Sequence, residues 1–202
     1  MYCGWLTLGA SRTRTVFPVR RSAEDDRQRA LVPDDHLLLR RRWINTVILD
    51  LAFVKKSANH IAVDRLTENN QMSRKTKVAV VMIGTNNTGH FDQDPEEVAD
   101  GVESILDIIK TQRTETKILL LGIFPRGQSP HDLKRLNNIA INQRIRRFAD
   151  NDRVHYMDIG NEFLEADGTI SKDIMPDYLH INAERYERWA KAIQPTLEEL
   201  GL

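Results

Sequence analysis

The chain reads as an α/β protein, a mainly parallel sheet covered by helices on both faces, and three observations predict it. Short apolar runs rich in β-branched residues recur along the chain. Amphipathic stretches of helical period alternate with them, and that alternation is the signature of parallel strands joined by crossover helices. The strand runs are also continuously apolar, as strands buried on both faces require.

The elements follow in order. "TVILDLAFV" (46–54) is a buried strand. "HIAVDRL" (60–66) has helical spacing but is short. "KVAVVMI" (77–83) is the next strand. "DPEEVADGVESILDIIK" (94–110) is a helix: Asp94 caps it, Pro95 suits its first turn, and Glu97 is placed to complete a capping box. Val98, Val102, Ile105, Leu106 and Ile109 share one face of it. "KILLLGI" (117–123) is a strand. "LKRLNNIAINQRIRRFA" (133–149) is a helix with Leu136, Ile139, Ala140, Ile145 and Phe148 inward. "RVHYMDI" (153–159) is a further strand, and "ADGT" (166–169) is a turn, since Asp-Gly tolerates positive φ. "AERYERWAKAIQPTLEEL" (183–200) closes the chain as a helix with a kink at Pro195.

At 202 residues the chain suits one sizeable core. Its formal net charge is zero, which gives no general pull toward nucleic acid or anionic lipid. The single cysteine, Cys3, excludes an internal disulfide framework and a cysteine-based zinc site. No apolar run approaches a membrane span. The opening "MYCGWLTLGA" lacks a preceding basic region, so a cytoplasmic chain is the default expectation. Residues 1–45 hold nine Arg and no Lys, with little periodicity. They read as an atypical Arg-rich segment ahead of an α/β domain at 46–202, with solvated charge a better account than nucleic-acid binding.

In parallel sheets, ligands gather at the carboxyl ends of strands. After 77–83 comes "GTNNTGH" (84–90), where Gly84 permits a sharp exit and Asn86 or Asn87 can donate to a developing oxyanion; an ordinary Asn-rich turn explains the same residues. After 117–123 comes "FPRGQSPHD" (124–132), an irregular loop whose Arg126 reads as a surface residue before an anion ligand. "MPDYLHIN" (175–182) places Asp177 three residues before His180. A carboxylate so placed fixes the imidazole tautomer and stabilises the imidazolium, although a surface His in a loop before a helix fits the spacing too. "HFDQD" offers His90, Asp92 and Asp94 as metal ligands, but Asp94 is already explained as a cap.

Taken together, "VVMIGTNNTGH", "ILLLGIFPRG", "LKRLNNIAINQRI", "GTISKDIMPDYLHI" and the final helix resemble, in the same order, the SGNH (GDSL-like) hydrolases, and within them the platelet-activating-factor acetylhydrolase β/γ-subunit-like branch. The resemblance covers about two thirds of the chain, from roughly residue 60 or 75 onward. It implies a three-layer α/β/α sandwich of SGNH/flavodoxin-like form and ester hydrolysis through a Ser-His-Asp arrangement, with no metal or other cofactor. "GTNN" matches the family's Gly-x-Asn-Asp block from Gly84, making Asn86 the oxyanion donor, with Asn87 in place of the usual Asp. "DYLH" matches the Asp-x-x-His block, making His180 the base and Asp177 its orienting partner.

The nucleophile block, Gly-Asp-Ser at the end of the first strand, has its nearest match in "LTLGASRT", with Ser11 as nucleophile and Ala10 replacing the Asp. Ser22 and Ser57 lack matching context. The second block, which supplies a backbone N–H through a glycine, has no counterpart, since no Gly occurs between Gly9 and Gly84. The expectation is a serine esterase acting on a small-molecule ester, a short acyl group on a carbohydrate or lipid, and forming a homodimer as that branch can. The alternative is a family fold that binds without turnover, or a chain whose opening residues are not the family's front half, through an altered reading frame for instance. A nucleotide-binding doubly wound domain is disfavoured, because no Gly-rich phosphate loop follows any strand.

Overall fold

A computed structural model describes residues 76–90 and 93–202, together with the strand backbone of residues 5–6 and 46–51. The expected helical stretch 60–66 and the serines Ser11, Ser22 and Ser57 lie outside the described residues, as does Asp92. Strands β1 (Trp5–Leu6), β2 (Thr46–Leu51), β3 (Val78–Ile83), β4 (Lys117–Leu121) and β5 (Val154–Met157) form one sheet in that order. β2 to β5 run parallel, with Leu51 beside Ile83, Val81 beside Leu120 and Leu121 beside Met157. β1 pairs antiparallel to β2, Trp5 opposite Asp50 and Leu6 opposite Leu49. β1 itself therefore points toward the edge where the parallel strands begin.

Because successive side chains on a strand point to opposite faces, each apolar run feeds two cores. Ala79, Val81 and Ile83 of β3, with Ile118 and Leu120 of β4, enter one core. Val78, Val80, Leu119 and Leu121 enter the other. The first core is closed by helix α2 (Pro95–Gln112), through Val98, Val102, Ile105, Leu106 and Ile109, and by helix α3 (Leu133–Ile145), through Ile141 and Ile145. The second is closed by helix α4 (Ala183–Glu199), through Trp189, Ile193 and Leu197. The result is three layers, helix, sheet and helix. A short helix α1 (Thr85–His90) follows β3 directly.

Helix termini follow the local chemistry. Asp94 accepts from the Glu96 N–H at 2.7 Å with Pro95 in the first turn of α2, so the cap bond goes to Glu96. Asp132 accepts from the N–H groups of Lys134 and Arg135 at the start of α3. The turn at 166–169 closes through Glu165 N–H to Thr169 O, with Gly168 at φ +79°. α4 runs through Pro195 to Glu199.

α3 corrects the sequence reading in its facing. Ile145 is buried and Phe148 packs against the core, but Leu136 and Ile139 are each 44% exposed. Arg135, Asn138, Ile141 and Ile145 are the residues it buries. A purely apolar inward stripe fails here because this helix covers a loop whose backbone groups need donors and acceptors.

Leu120, fully buried in β4 between β3 and β5, anchors the first core. Leu120→Ala is expected to lower unfolding free energy by about 2–5 kcal/mol, the usual cost of a large-to-small change in a packed interior. A urea melt checks this as a lower midpoint at unchanged slope.

Candidate functional site

β3 ends at Ile83 and the chain turns through Gly84 at φ +125°. A Cβ at this glycine would stand 2.7 Å from Ile123 Cδ1, so both conformation and space demand the missing side chain. The turn delivers Asn86 into α1 at only 2% exposure. Neither its Nδ2 nor its Oδ1 has a hydrogen-bond partner among the described residues. Burying a carboxamide without partners costs free energy, so an unspent amide at a strand's carboxyl end calls for an explanation in function. Its neighbours differ. Asn87 Nδ2 donates to Gln93 Oε1 at 2.6 Å and its carbonyl accepts from the Gln93 N–H, so Asn87 ties the chain after α1 in place. Thr88 Oγ1 donates to Asn138 Oδ1 at 3.1 Å.

The segment before α4 is pinned by Ile174, Met175 and Ile181 in the second core, and by Asn182, which caps α4 at the Arg185 N–H and donates to Asp173 O. Between these anchors, Asp177 divides its two oxygens. Oδ1 accepts from the N–H groups of Leu179 at 3.1 Å and His180 at 2.8 Å. Oδ2 pairs with His180 Nδ1 in a short contact. A carboxylate only accepts, so Nδ1 carries the imidazole proton and Nε2 is the accepting nitrogen. Partial burial pushes the Asp177 carboxyl up, but the two N–H donors and the His180 ring outweigh it and hold the group below its ordinary value. Tyr178 takes φ +57° to make the turn, its N–H bonded to Met175 O.

A third loop joins these two. Arg126, expected on the surface, is only 8% exposed. It reaches back across the site edge, and its Nη1 donates to Thr85 O at 2.8 Å. The next residue, Gly127, donates its N–H to Tyr178 O at 2.8 Å. Arg126–Gly127 thus links the turn bearing Asn86 to the turn bearing Asp177 and His180, and all three lie at the carboxyl edge of the parallel strands. Gly127 has φ +74°, and a Cβ there would stand 2.4 Å from Asp132 Cγ.

α3 holds this loop from behind. Arg135 Nε donates to Arg126 O at 2.8 Å, Nη2 to Gly127 O at 2.5 Å and Nη1 to Gly168 O at 2.6 Å. Asn138 Nδ2 donates to Phe124 O, and Asn142 both accepts from the Ile123 N–H and donates to Ile123 O. These residues stand at i, i+3 and i+7, one stripe of the helix. That spacing was available in the sequence, but the competing apolar stripe at Leu136 and Ile139 obscured it. Phe124 anchors the loop's floor, with ring centroids 4.5 Å from Phe163 and 5.2 Å from Trp189.

The structure thus brings Gly84, Asn86, Asp177 and His180 to one edge of the sheet, with Asn87 in a supporting tie. Ser11 lies outside the described residues. Of the "HFDQD" group, Asp94 serves as the α2 cap, and no cluster of three or more metal-ligating side chains occurs among the described residues.

A model of the GDSL-like Lipase/Acylhydrolase family matches residues 14–188. Platelet-activating factor acetylhydrolase IB subunit alpha1 of Homo sapiens is 33% identical over 135 residues, 66% of this chain and 57% of that protein. The alpha2 subunit of Gallus gallus is 35% identical over 127 residues, 62% of this chain and 54% of that protein. The chain therefore spans a little over half the length of these curated relatives. Among solved structures, Est24, a carbohydrate acetylesterase from Sinorhizobium meliloti, superposes with a TM-score of 0.53 at 19% identity over 71% of this chain and 68% of that one, a likeness of fold.

Two outcomes follow from this geometry. Arg135→Met strips the loop carbonyls of their donor and is expected to destabilise the protein by at least about 1–3 kcal/mol, the cost of one buried unsatisfied acceptor, measured by chemical denaturation. The lowered Asp177 pKa makes the ionised carboxylate a stabilising group above the ordinary value of 3.8, and that contribution is lost as pH falls through the lower folded value. Asp177→Asn should therefore flatten part of the acid limb of the stability–pH curve while leaving its shape above neutrality unchanged.

Proposed function

The chain belongs to the GDSL-like lipase/acylhydrolase family, and from that premise we propose that it hydrolyses short acyl esters at the edge carrying Asn86, Asp177 and His180. One observation carries this reading. A carboxamide buried to 2% exposure keeps its hydrogen-bonding capacity unspent among the described residues, on the same edge as an imidazole whose Nδ1 is held by a carboxylate.

In the proposed reaction a serine hydroxyl, that of Ser11, attacks the acyl carbonyl while His180 Nε2 takes its proton. Asp177 stabilises the imidazolium so formed. Asn86 Nδ2 donates to the tetrahedral oxyanion, and being already desolvated and held by α1 it needs little reorganisation. Collapse expels the alcohol, which receives the proton from His180. Water then attacks the acyl-enzyme with His180 again as base, and the carboxylic acid leaves. Acetyl is the favoured acyl group, because the relatives matched over two thirds of the chain are named acetylhydrolases. A carbohydrate or lipid alcohol suits such chemistry, and the acetylesterase of similar fold supports the carbohydrate side.

A second reading has its own support. β1 runs antiparallel to β2, so this strand points away from the edge bearing Asn86. Ser11 also precedes the stretch that matches the family, 14–188. Under this reading the chain retains the family's base and oxyanion donor but binds esters without turning them over.

Hydrolysis of p-nitrophenyl acetate decides between them. On the first reading Ser11→Ala and His180→Ala abolish burst and turnover, and Asn86→Ala lowers kcat by about 10²–10³-fold with little change in KM, as loss of an oxyanion donor does. A folded wild type no faster than His180→Ala leaves only the second reading. Turnover lost in His180→Ala but kept in Ser11→Ala assigns the nucleophile to another residue.

A further inference from the structure

We propose that Arg126 is a positioning residue that sets the register between the oxyanion donor and the catalytic base. The inference rests on the esterase reading and deepens it. Three observations support it. The Arg126 guanidinium is buried and donates through Nη1 to Thr85 O at 2.8 Å and to Thr85 Oγ1 at 3.3 Å, gripping the residue before Asn86. The adjacent Gly127 N–H holds Tyr178 O, inside the turn between Asp177 and His180. Arg135 clamps the carbonyls of both Arg126 and Gly127, so the bridge has a fixed base in α3. A long side chain ordered in this way loses rotamer freedom, and a lysine could make only part of the same contact.

Gly89 shows how closely the guanidinium is fitted. A Cβ at Gly89 would stand 2.2 Å from Arg126 Nη1 and 2.9 Å from its Cζ. Gly89 lies in α1, where alanine is otherwise the better helix former. The missing side chain at 89 therefore makes room for Arg126, and Gly89→Ala displaces the guanidinium without removing it. Both residues act through Thr85 and the Asn86 that follows it.

The test compares wild type, Arg126→Met, Arg126→Lys, Gly89→Ala and the double variant Gly89→Ala/Arg126→Met in the full chain. It reads p-nitrophenyl acetate kinetics, thermal melting, and two NMR signals: the Asn86 side-chain amide and the downfield His180 Nδ1 proton. Arg126→Met and Gly89→Ala should each lower kcat by about 10–100-fold with KM nearly unchanged, the scale expected when reacting groups are misplaced by about an ångström. Both should move the Asn86 amide signal. The double variant should be no worse than the poorer single one, since both changes break one contact. Arg126→Lys should recover part of the loss. A lowered melting temperature with kcat and both NMR signals unmoved overturns the inference and leaves Arg126 a structural residue. Additive losses in the double variant overturn it as well. Should the folded wild type fail to turn over the ester, the esterase reading falls alone, and the Asn86 and His180 signals decide the positioning role: moved in Arg126→Met and Gly89→Ala they uphold it, unmoved they end it.

Discussion

The carbonyls of Arg126, Gly127 and Gly168 all point at one buried guanidinium, that of Arg135, at 2.5–2.8 Å. Backbone acceptors in a buried loop must find donors, and an irregular loop cannot find them in itself. A planar fork with several N–H groups meets the need from one side chain. Burial lowers the Arg135 pKa and Asp132 opposes that shift, so the cation is held by the acceptors it serves. Through this contact α3 fixes the loop after β4, and through that loop the turns on either side of it. Arg126 reaches Thr85 in one direction and Gly127 reaches Tyr178 in the other. The site edge is thereby built as a chain of backbone and side-chain bonds across three loops, resting on one helix.

The sheet gives this network its rigidity. Residues of β3 and β4 alternate between two apolar cores, so the strands leave little freedom at their carboxyl ends. Gly84 then turns the chain at once into α1, and Asn86 is presented already desolvated. On the other side the aromatic group of Phe124, Phe163 and Trp189 ties the β4 loop to α4, the helix that follows His180. Asn86 and His180 are thus set by separate elements, and their relation depends on the loop between them.

Much of this was readable from residues alone. Apolar continuity located β3 and β4, and Asp94 with Pro95 marked the start of α2 to the residue. Asp177 and His180 were legible because both partners lie within one short turn, where sequence spacing nearly fixes geometry. Spacing alone left Asn86 and Asn87 equivalent, and only the family resemblance chose Asn86; the two are equally buried, and partnering separates them, since the Asn87 amide is spent on Gln93. Arg126 was misread because its partner, Thr85, lies 41 residues away in sequence and no local pattern connects them. α3 was misread for a related reason: an apolar stripe at Leu136 and Ile139 suggested an inward face, whereas the loop it covers required Arg135, Asn138 and Asn142. Periodicity reports where apolar residues recur, not which unsatisfied backbone groups they will meet.

The central claim is that an activated serine stands against His180 and Asn86. Treating the folded chain with diethyl p-nitrophenyl phosphate, followed by peptide mass spectrometry, tests it most directly. An activated serine displaces p-nitrophenolate and retains the diethylphosphoryl group, and only the residue that His180 activates reacts readily. The account predicts stoichiometric labelling of Ser11 that disappears in His180→Ala. A folded protein left unlabelled, or labelled equally with and without His180, would contradict it.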